Sequence, residues 1–179
     1  MKNRLGISFF FLLILLHCSL IYAAPPNAGD IAPALRVMSG DGKMLTLEQL
    51  RGKVVVIFYN SKDTINHDFE LRKLLNKYYD NQSGDKKTKV FKLAIIDCSS
   101  AFFPIDYIWK SKLIEASRQK QMDIYGDWSG KVAEAYSFNP GDSNIVVIDK
   151  DGIIRYISRK EITDEKEINA IIALLNQIT

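Results

Sequence analysis

Six consecutive residues, Val54-Val55-Val56-Ile57-Phe58-Tyr59, are all β-branched or aromatic, with no polar residue among them. A strand without polar alternation is covered on both faces, which is the situation inside a parallel-type sheet with helices on either side. Burying each of these large side chains contributes about 1.5–3 kcal/mol. The run therefore belongs at the centre of a domain, and the rest of the chain has to supply its neighbours.

The flanking patterns supply them. Leu35–Met38 reads as a short strand, Ser39-Gly40-Asp41-Gly42-Lys43 as a hairpin turn, and Met44–Thr46 as the returning strand. Leu47–Leu50 makes a short helical turn ending at Gly52. After the central run, Leu71, Leu74, Leu75 and Tyr78 recur at helical spacing, predicting a helix over Thr64–Tyr79 capped by Asp63 or Thr64. Asp80–Thr88 reads as a polar loop and Val90–Asp97 as a second buried strand. Trp109, Leu113 and Ile114 place a helix over Tyr107–Gln121, followed by a short strand at Asp123–Tyr125 and a short helix at Lys131–Tyr136. Asn144–Ile148 and Ile153–Ser158 form a hairpin across Asp149-Lys150-Asp151-Gly152. The closing helix begins near Thr163, with Ile168, Ile171, Ile172 and Leu175 on one face. The order predicts an α/β fold with a central mixed sheet flanked by helices and an N-terminal β-hairpin.

The amino terminus carries a different signal. Lys2 and Arg4 precede an apolar stretch, Leu5–Leu16, and small residues follow at Ala23 and Ala24, a secretory leader pattern with cleavage after Ala23. Residues 1–23 are thus expected to be a signal peptide and 24–179 one domain. The alternative is an uncleaved anchor in the inner membrane. Cleavage leaves 156 residues with 22 basic and 21 acidic side chains, one cysteine (Cys98) and one histidine (His67). So balanced a charge gives no case for nucleic acid, and the exported domain has no segment for stable membrane insertion. One cysteine excludes an internal disulfide.

Three sets of residues could carry chemistry. Cys98 follows a central strand at the carboxyl edge, where open α/β sheets bind ligands; it reads as a lone reactive thiol or as a small buried apolar residue. His67 lies on the predicted helix with Asp63 and Glu70 at helical spacing, so the imidazole could serve as a base toward Ser61 or Cys98, or simply join a solvated cluster. The segment Phe102-Phe103-Pro104-Ile105 with Tyr107, Ile108 and Trp109 is apolar for a connection; lining of the core is the expected role, and an exposed binding patch the alternative. Asp149-Lys150-Asp151-Gly152 lacks the later ligands of a calcium loop, and Gly40-Asp41-Gly42-Lys43 lacks the spacing of a phosphate-binding loop. No metal site and no cofactor is implied.

Several motifs, in order, resemble the thioredoxin superfamily of TlpA and peroxiredoxin type. Gly29-Asp30-Ile31-Ala32-Pro33 is similar to its opening motif. Leu47-x-x-Leu50-Arg51-Gly52-Lys53-Val54-Val55-Val56 is similar to its approach to the central strand, and Val147-Ile148-Asp149-x-Asp151-Gly152 to its final hairpin. Ile95-Ile96-Asp97, Tyr107–Lys120, Gly130–Tyr136 and Asn144–Asp149 resemble more narrowly the YtfJ group of small exported proteins. The resemblance implies a thioredoxin-like fold over the whole mature chain.

It also implies a redox motif that this chain lacks. The two cysteine positions after the central strand are occupied by Asp63 and Asn66. Under a peroxiredoxin alignment Thr64 and Glu70 match motif residues and His67 takes the position of the peroxidatic cysteine. The superfamily's cis-proline position is held by Ser143. Thiol–disulfide exchange requires a thiolate, which carboxylate, amide and imidazole cannot replace. The expectation is a redox-inactive binding or accessory protein of the periplasm, engaging an envelope protein or small ligand at the edge bearing Asp63, His67 and Cys98. The alternative is a monothiol oxidoreductase or peroxidase acting through Cys98.

Overall fold

The computed structural model describes residues 24–179, and the signal peptide expected over residues 1–23 lies outside them. Among the described residues no helix is long and apolar enough to cross a membrane. Strand β3 (Val54–Asn60) is the expected central strand, and all seven of its residues are buried. It pairs in parallel with β4 (Val90–Asp97), Ile57 opposite Leu93, and antiparallel with β6 (Asn144–Ile148), Ile57 opposite Val146. Strand β4 pairs in parallel with β5 (Ile124–Asp127), and β7 (Ile154–Ser158) pairs antiparallel with β6. The N-terminal hairpin, β1 (Arg36–Ser39) and β2 (Met44–Thr46), joins the far edge through β1 against β5. The result is one seven-stranded mixed sheet in the order β2-β1-β5-β4-β3-β6-β7.

Alternation along β3 divides the core. Val54, Val56 and Phe58 pack with Leu71 and Leu75 of α1 (Phe69–Asp80) and with Ile168, Ile171 and Leu175 of α5 (Glu165–Ile178). Leu113 of α3 (Ile105–Lys120) meets Ile96, Cys98 and Ile124 farther along the sheet. Val55, Ile57 and Tyr59 face the other way, onto Val132 and Tyr136 of α4 (Lys131–Tyr136) and Leu50 of a 3-10 turn over Leu47–Leu50. That second face has only a six-residue helix and connecting segments to cover it.

Two expectations are corrected. The first long helix starts at Phe69 rather than Thr64, because tertiary hydrogen bonds hold the preceding residue. Asp68 sits in the left-handed region (φ 55°), its carboxylate accepts the Ile162 N–H at 2.9 Å, and its own N–H donates to Glu161 at 3.3 Å. Thr64 Oγ1 instead accepts the Ser61 N–H within a turn, the competing local bond open to hydroxyl side chains. The polar stretch Asp80–Thr88 is likewise not all loop. Gly84–Lys89 forms helix α2, with Asp85 in its first turn and three lysines toward its end, a favourable match to the helix dipole. It buries no residue, so it leaves no apolar period to read.

Two local constraints fix the edges. A Cβ on Gly40 would lie 2.4 Å from the Lys110 carbonyl oxygen, so glycine lets α3 sit directly on the β1–β2 turn. Asp149 anchors the β6–β7 turn: its carboxylate accepts the N–H groups of Asp151 and Ile153, both at 2.9 Å, and pairs with Arg155. Burial alone would raise its pKa, but those N–H groups and the guanidinium hold it below the usual carboxylate range.

Gly40→Ala should lower stability by about 1–3 kcal/mol through overpacking against α3, read by urea denaturation. For Asp149, a pKa lower in the folded than in the unfolded chain contributes stability that is complete above about pH 4 and lost as pH falls through the folded value. Asp149→Asn should therefore destabilise at pH 7 and show a shallower fall in melting temperature between pH 5 and pH 3 than the wild type.

Candidate functional site

Strands β3, β4 and β5 end, and β6 begins, along the carboxyl edge of the sheet, and Asp63, Asn66 and Ser143, which the resemblance led us to expect at the redox-motif and cis-proline positions, fall there. Asn60, the last residue of β3, is buried with its amide oxygen accepting the Ser143 hydroxyl at 2.6 Å and facing the Thr64 hydroxyl at 3.4 Å. Ser143 is itself fully buried and donates its N–H to Asp142 Oδ1 at 2.8 Å. Asp142 Oδ1 also accepts the Glu161 N–H at 2.8 Å and lies 3.6 Å from His67 Nδ1. Burial works to raise the Asp142 pKa, yet the Ser143 and Glu161 N–H groups and the imidazole together hold it low. Residues of the first helical approach, the β6 approach and the segment before α5 are thus tied into one polar set.

Asp63 and Asn66 stand apart from that set. Asp63 and Asn66 are exposed, and neither side chain makes a hydrogen bond among the described residues. Both lie in the turns preceding Asp68, not in the first turn of a helix. A helix amino terminus lowers a thiol pKa in redox motifs, and neither position lies at one. His67 does not share a helical face with Asp63 and Glu70; it turns to Asp142, while Glu70 pairs with Lys73 at 3.4 Å. The cis peptide among the described residues is Phe103–Pro104, not the bond before Ser143.

Cys98 is completely buried. It packs with Ile96, Leu113 and Ile124, with Ile65, Trp109 and Trp128 at the margin, and its sulfur is so close to Gly126 that a Cβ there would lie 3.0 Å away. Burial first, and then the carboxylates of Asp97 and Asp127, push the thiol pKa up to about 12. At neutral pH the thiol form is therefore favoured. The surroundings act opposite to those of an activated cysteine, which sits near cations or a helix amino terminus. Asp63, His67 and Cys98 line the same edge, but they do not converge on one accessible point.

The apolar connection overturns its expected role. Phe102 is 68% exposed, Phe103 87% and Tyr107 74%, with Phe69 of α1 also open to solvent. Helix α3 meets the sheet through Leu113 and, at Gly40, through Lys110 and Ile114, so its first turn projects ahead of any surface it could pack on. Trp109 alone of this group leans inward. Sequence reasoning also missed Asp127, buried at the end of β5. Its Oδ2 accepts the Val132 and Ala133 N–H groups at 2.9 and 3.1 Å and faces the Tyr59 hydroxyl at 3.3 Å. An aspartate a few residues before a helix is a capping signal that the strand pattern around it hides. No cluster of three metal-ligating side chains occurs among the described residues.

Ser143→Ala should cost about 1–3 kcal/mol, since it leaves the buried Asn60 oxygen without its shortest partner; chemical denaturation measures this.

Comparison with known proteins fits this geometry. The chain is similar in structure to a thiol peroxidase from Chromobacterium violaceum (18% identity, 86% of this chain and 88% of that one, TM-score 0.62). It is also similar to the exposed lipoprotein thioredoxin of Streptococcus pneumoniae (17%, 81% and 99%, 0.56). A third match is a thiol:disulfide interchange protein DsbE from Chlorobium tepidum (14%, 85% and 99%, 0.57). At such identities these likenesses establish the thioredoxin-like fold. No curated protein matches the chain. The AhpC/TSA family profile matches residues 28–157, from the segment before β1 into β7, and the chain therefore belongs to the AhpC/TSA family.

Proposed function

We propose that this protein is a thiol-silent, YtfJ-like member of its family, exported to the periplasm, where it acts by binding rather than by redox turnover. One observation carries the reading: at the corner where the family's chemistry takes place, Thr64 and Ser143 both bond to Asn60, while Cys98 is buried in an apolar cluster with Asp97 and Asp127 nearby. The exposed rim of Phe69, Phe102, Phe103 and Tyr107 at the same edge supports an envelope protein as partner, since large apolar patches on soluble proteins mark interaction sites. Export rests on the leader pattern of residues 1–23. The exposed lipoprotein among the similar structures accords with it.

A monothiol oxidoreductase or peroxidase acting through Cys98 is favoured by family membership itself. It requires local opening to expose the sulfur and remove it from the influence of Asp97 and Asp127. Peroxide consumption with an external thiol separates the two readings. Background rates, unchanged in Cys98→Ser, are expected; turnover that Cys98→Ser abolishes would overturn the binding reading. Export is checked by mass spectrometry of the protein from the envelope fraction, where Ala24 is the expected first residue and Met1 would indicate a retained anchor. Phe102→Ser/Phe103→Ser should shift stability by less than about 0.5 kcal/mol, as for exposed positions generally, while shortening retention on a hydrophobic-interaction column.

A further inference from the structure

The two ends of the sheet are guarded differently. An open strand edge presents unpaired backbone groups to other chains, so proteins blunt or cover it. Strand β2 is three residues long, and the Gln49 side chain accepts its Thr46 N–H at 2.8 Å. Strand β7 is covered by main chain. Residues 25–33 run along its outer side as a strap, antiparallel, with Ile31 opposite Ile153. The Gly29 N–H donates to the Ile154 carbonyl at 2.8 Å and the Ile154 N–H to the Asp30 carbonyl at 2.9 Å. The Ala32 N–H donates to the Gly152 carbonyl at 2.9 Å.

Both ends of the strap are fastened by groups around α4. At its root, the Tyr136 hydroxyl donates to the Pro33 carbonyl at 2.8 Å. At its free end, the Arg159 guanidinium donates to the Pro26 carbonyl at 2.6 Å and to the Tyr136 carbonyl at 3.0 Å. Arg159 forms no ion pair among the described residues. Pro26 is buried, whereas Asn27, Ala28, Gly29, Asp30 and Ile31 are exposed, Ile31 by 79%. A segment with few buried contacts, held through exposed backbone bonds, belongs to the part of a fold that opens first. Beneath it lies an edge already shaped to receive an extended chain.

We infer that the β7 edge is a strand-addition site for an extended, proline-led segment of a partner protein, which displaces the chain's own strap. The strap shows what the edge accepts. It is an antiparallel main chain with a proline carbonyl turned to Arg159 and a residue able to adopt the φ of 100° found at Gly29. In this mode main-chain bonds supply affinity, and the side-chain contacts beside them supply selectivity. The aromatic rim of α3 lies toward β1 and β5, away from β7, so the two surfaces are separate, and neither depends on how Cys98 behaves.

A fluorescent peptide with the sequence of residues 24–34 is the probe. Gly29→Pro removes the donor to Ile154 and cannot take the positive φ, so it should release the strap while the domain stays folded. Hydrogen exchange should then show the Ile154 amide losing its protection. This variant should bind the peptide saturably and at least about tenfold more tightly than the wild type, whose strap competes for the edge. The same peptide with proline at the Gly29 position should not bind, and adding Arg159→Gln should weaken binding by about tenfold or more. Should Gly29→Pro fail to fold, Pro26→Asp, which sets a charge at the buried end of the strap, takes its place. An Ile154 amide that stays protected, a released strap without peptide binding, or equal binding of the two peptides would each overturn the inference.

Discussion

Strand β3 has no face toward water, and this condition organises the molecule. Its residues alternate between two cores, so each side of the sheet has to be covered, and the chain does so unequally. Helices α1, α3 and α5 cover one side with long apolar stripes. The other receives the short α4, the 3-10 turn and the N-terminal segment. From that imbalance come one core filled by long helices and another closed by short segments. The same strand delivers Asn60 to the carboxyl edge, where ligand sites of open α/β sheets form.

What stands at that edge is a set of polar side chains, Asn60, Thr64 and Ser143. An activated cysteine needs an environment that favours its anion, either a helix amino terminus or nearby cations. Here the backbone after β3 runs through turns until Asp68, the helix begins later, and the exposed positions hold Asp63 and Asn66. The buried positions, Asn60, Thr64 and Ser143, satisfy one another, as buried polar groups must. Cys98 lies in the neighbouring apolar cluster with Asp97 and Asp127 close by, so both low dielectric and like charge work against its thiolate.

The sequence was readable where burial writes a period. The run Val54–Tyr59, the stripe of Leu71, Leu74, Leu75 and Tyr78, and the Ile168–Leu175 face mapped onto their elements because each is apolar on the side that packs. Reading failed where tertiary bonds override local preference. Nothing local foretells that Asp68 will be held by Ile162 and Glu161, almost a hundred residues on, and so delay the helix. Helix α2 escaped notice because it buries nothing. Phe102 and Phe103 misled because their composition suits a core while their position, ahead of the packed part of α3, gives them none. The pairing of His67 with Asp142 required the fold, since the two lie 75 residues apart and on different segments.

The central claim is that the fold suppresses the only thiol of the described domain rather than activating it. The pH dependence of Cys98 alkylation by iodoacetamide, followed by intact mass on the native protein and again in urea, tests this directly. The account predicts negligible native labelling through pH 8, with ordinary thiol reactivity appearing once the chain is unfolded. Rapid native labelling that levels off near or below pH 7 would reveal a stabilised thiolate and contradict it.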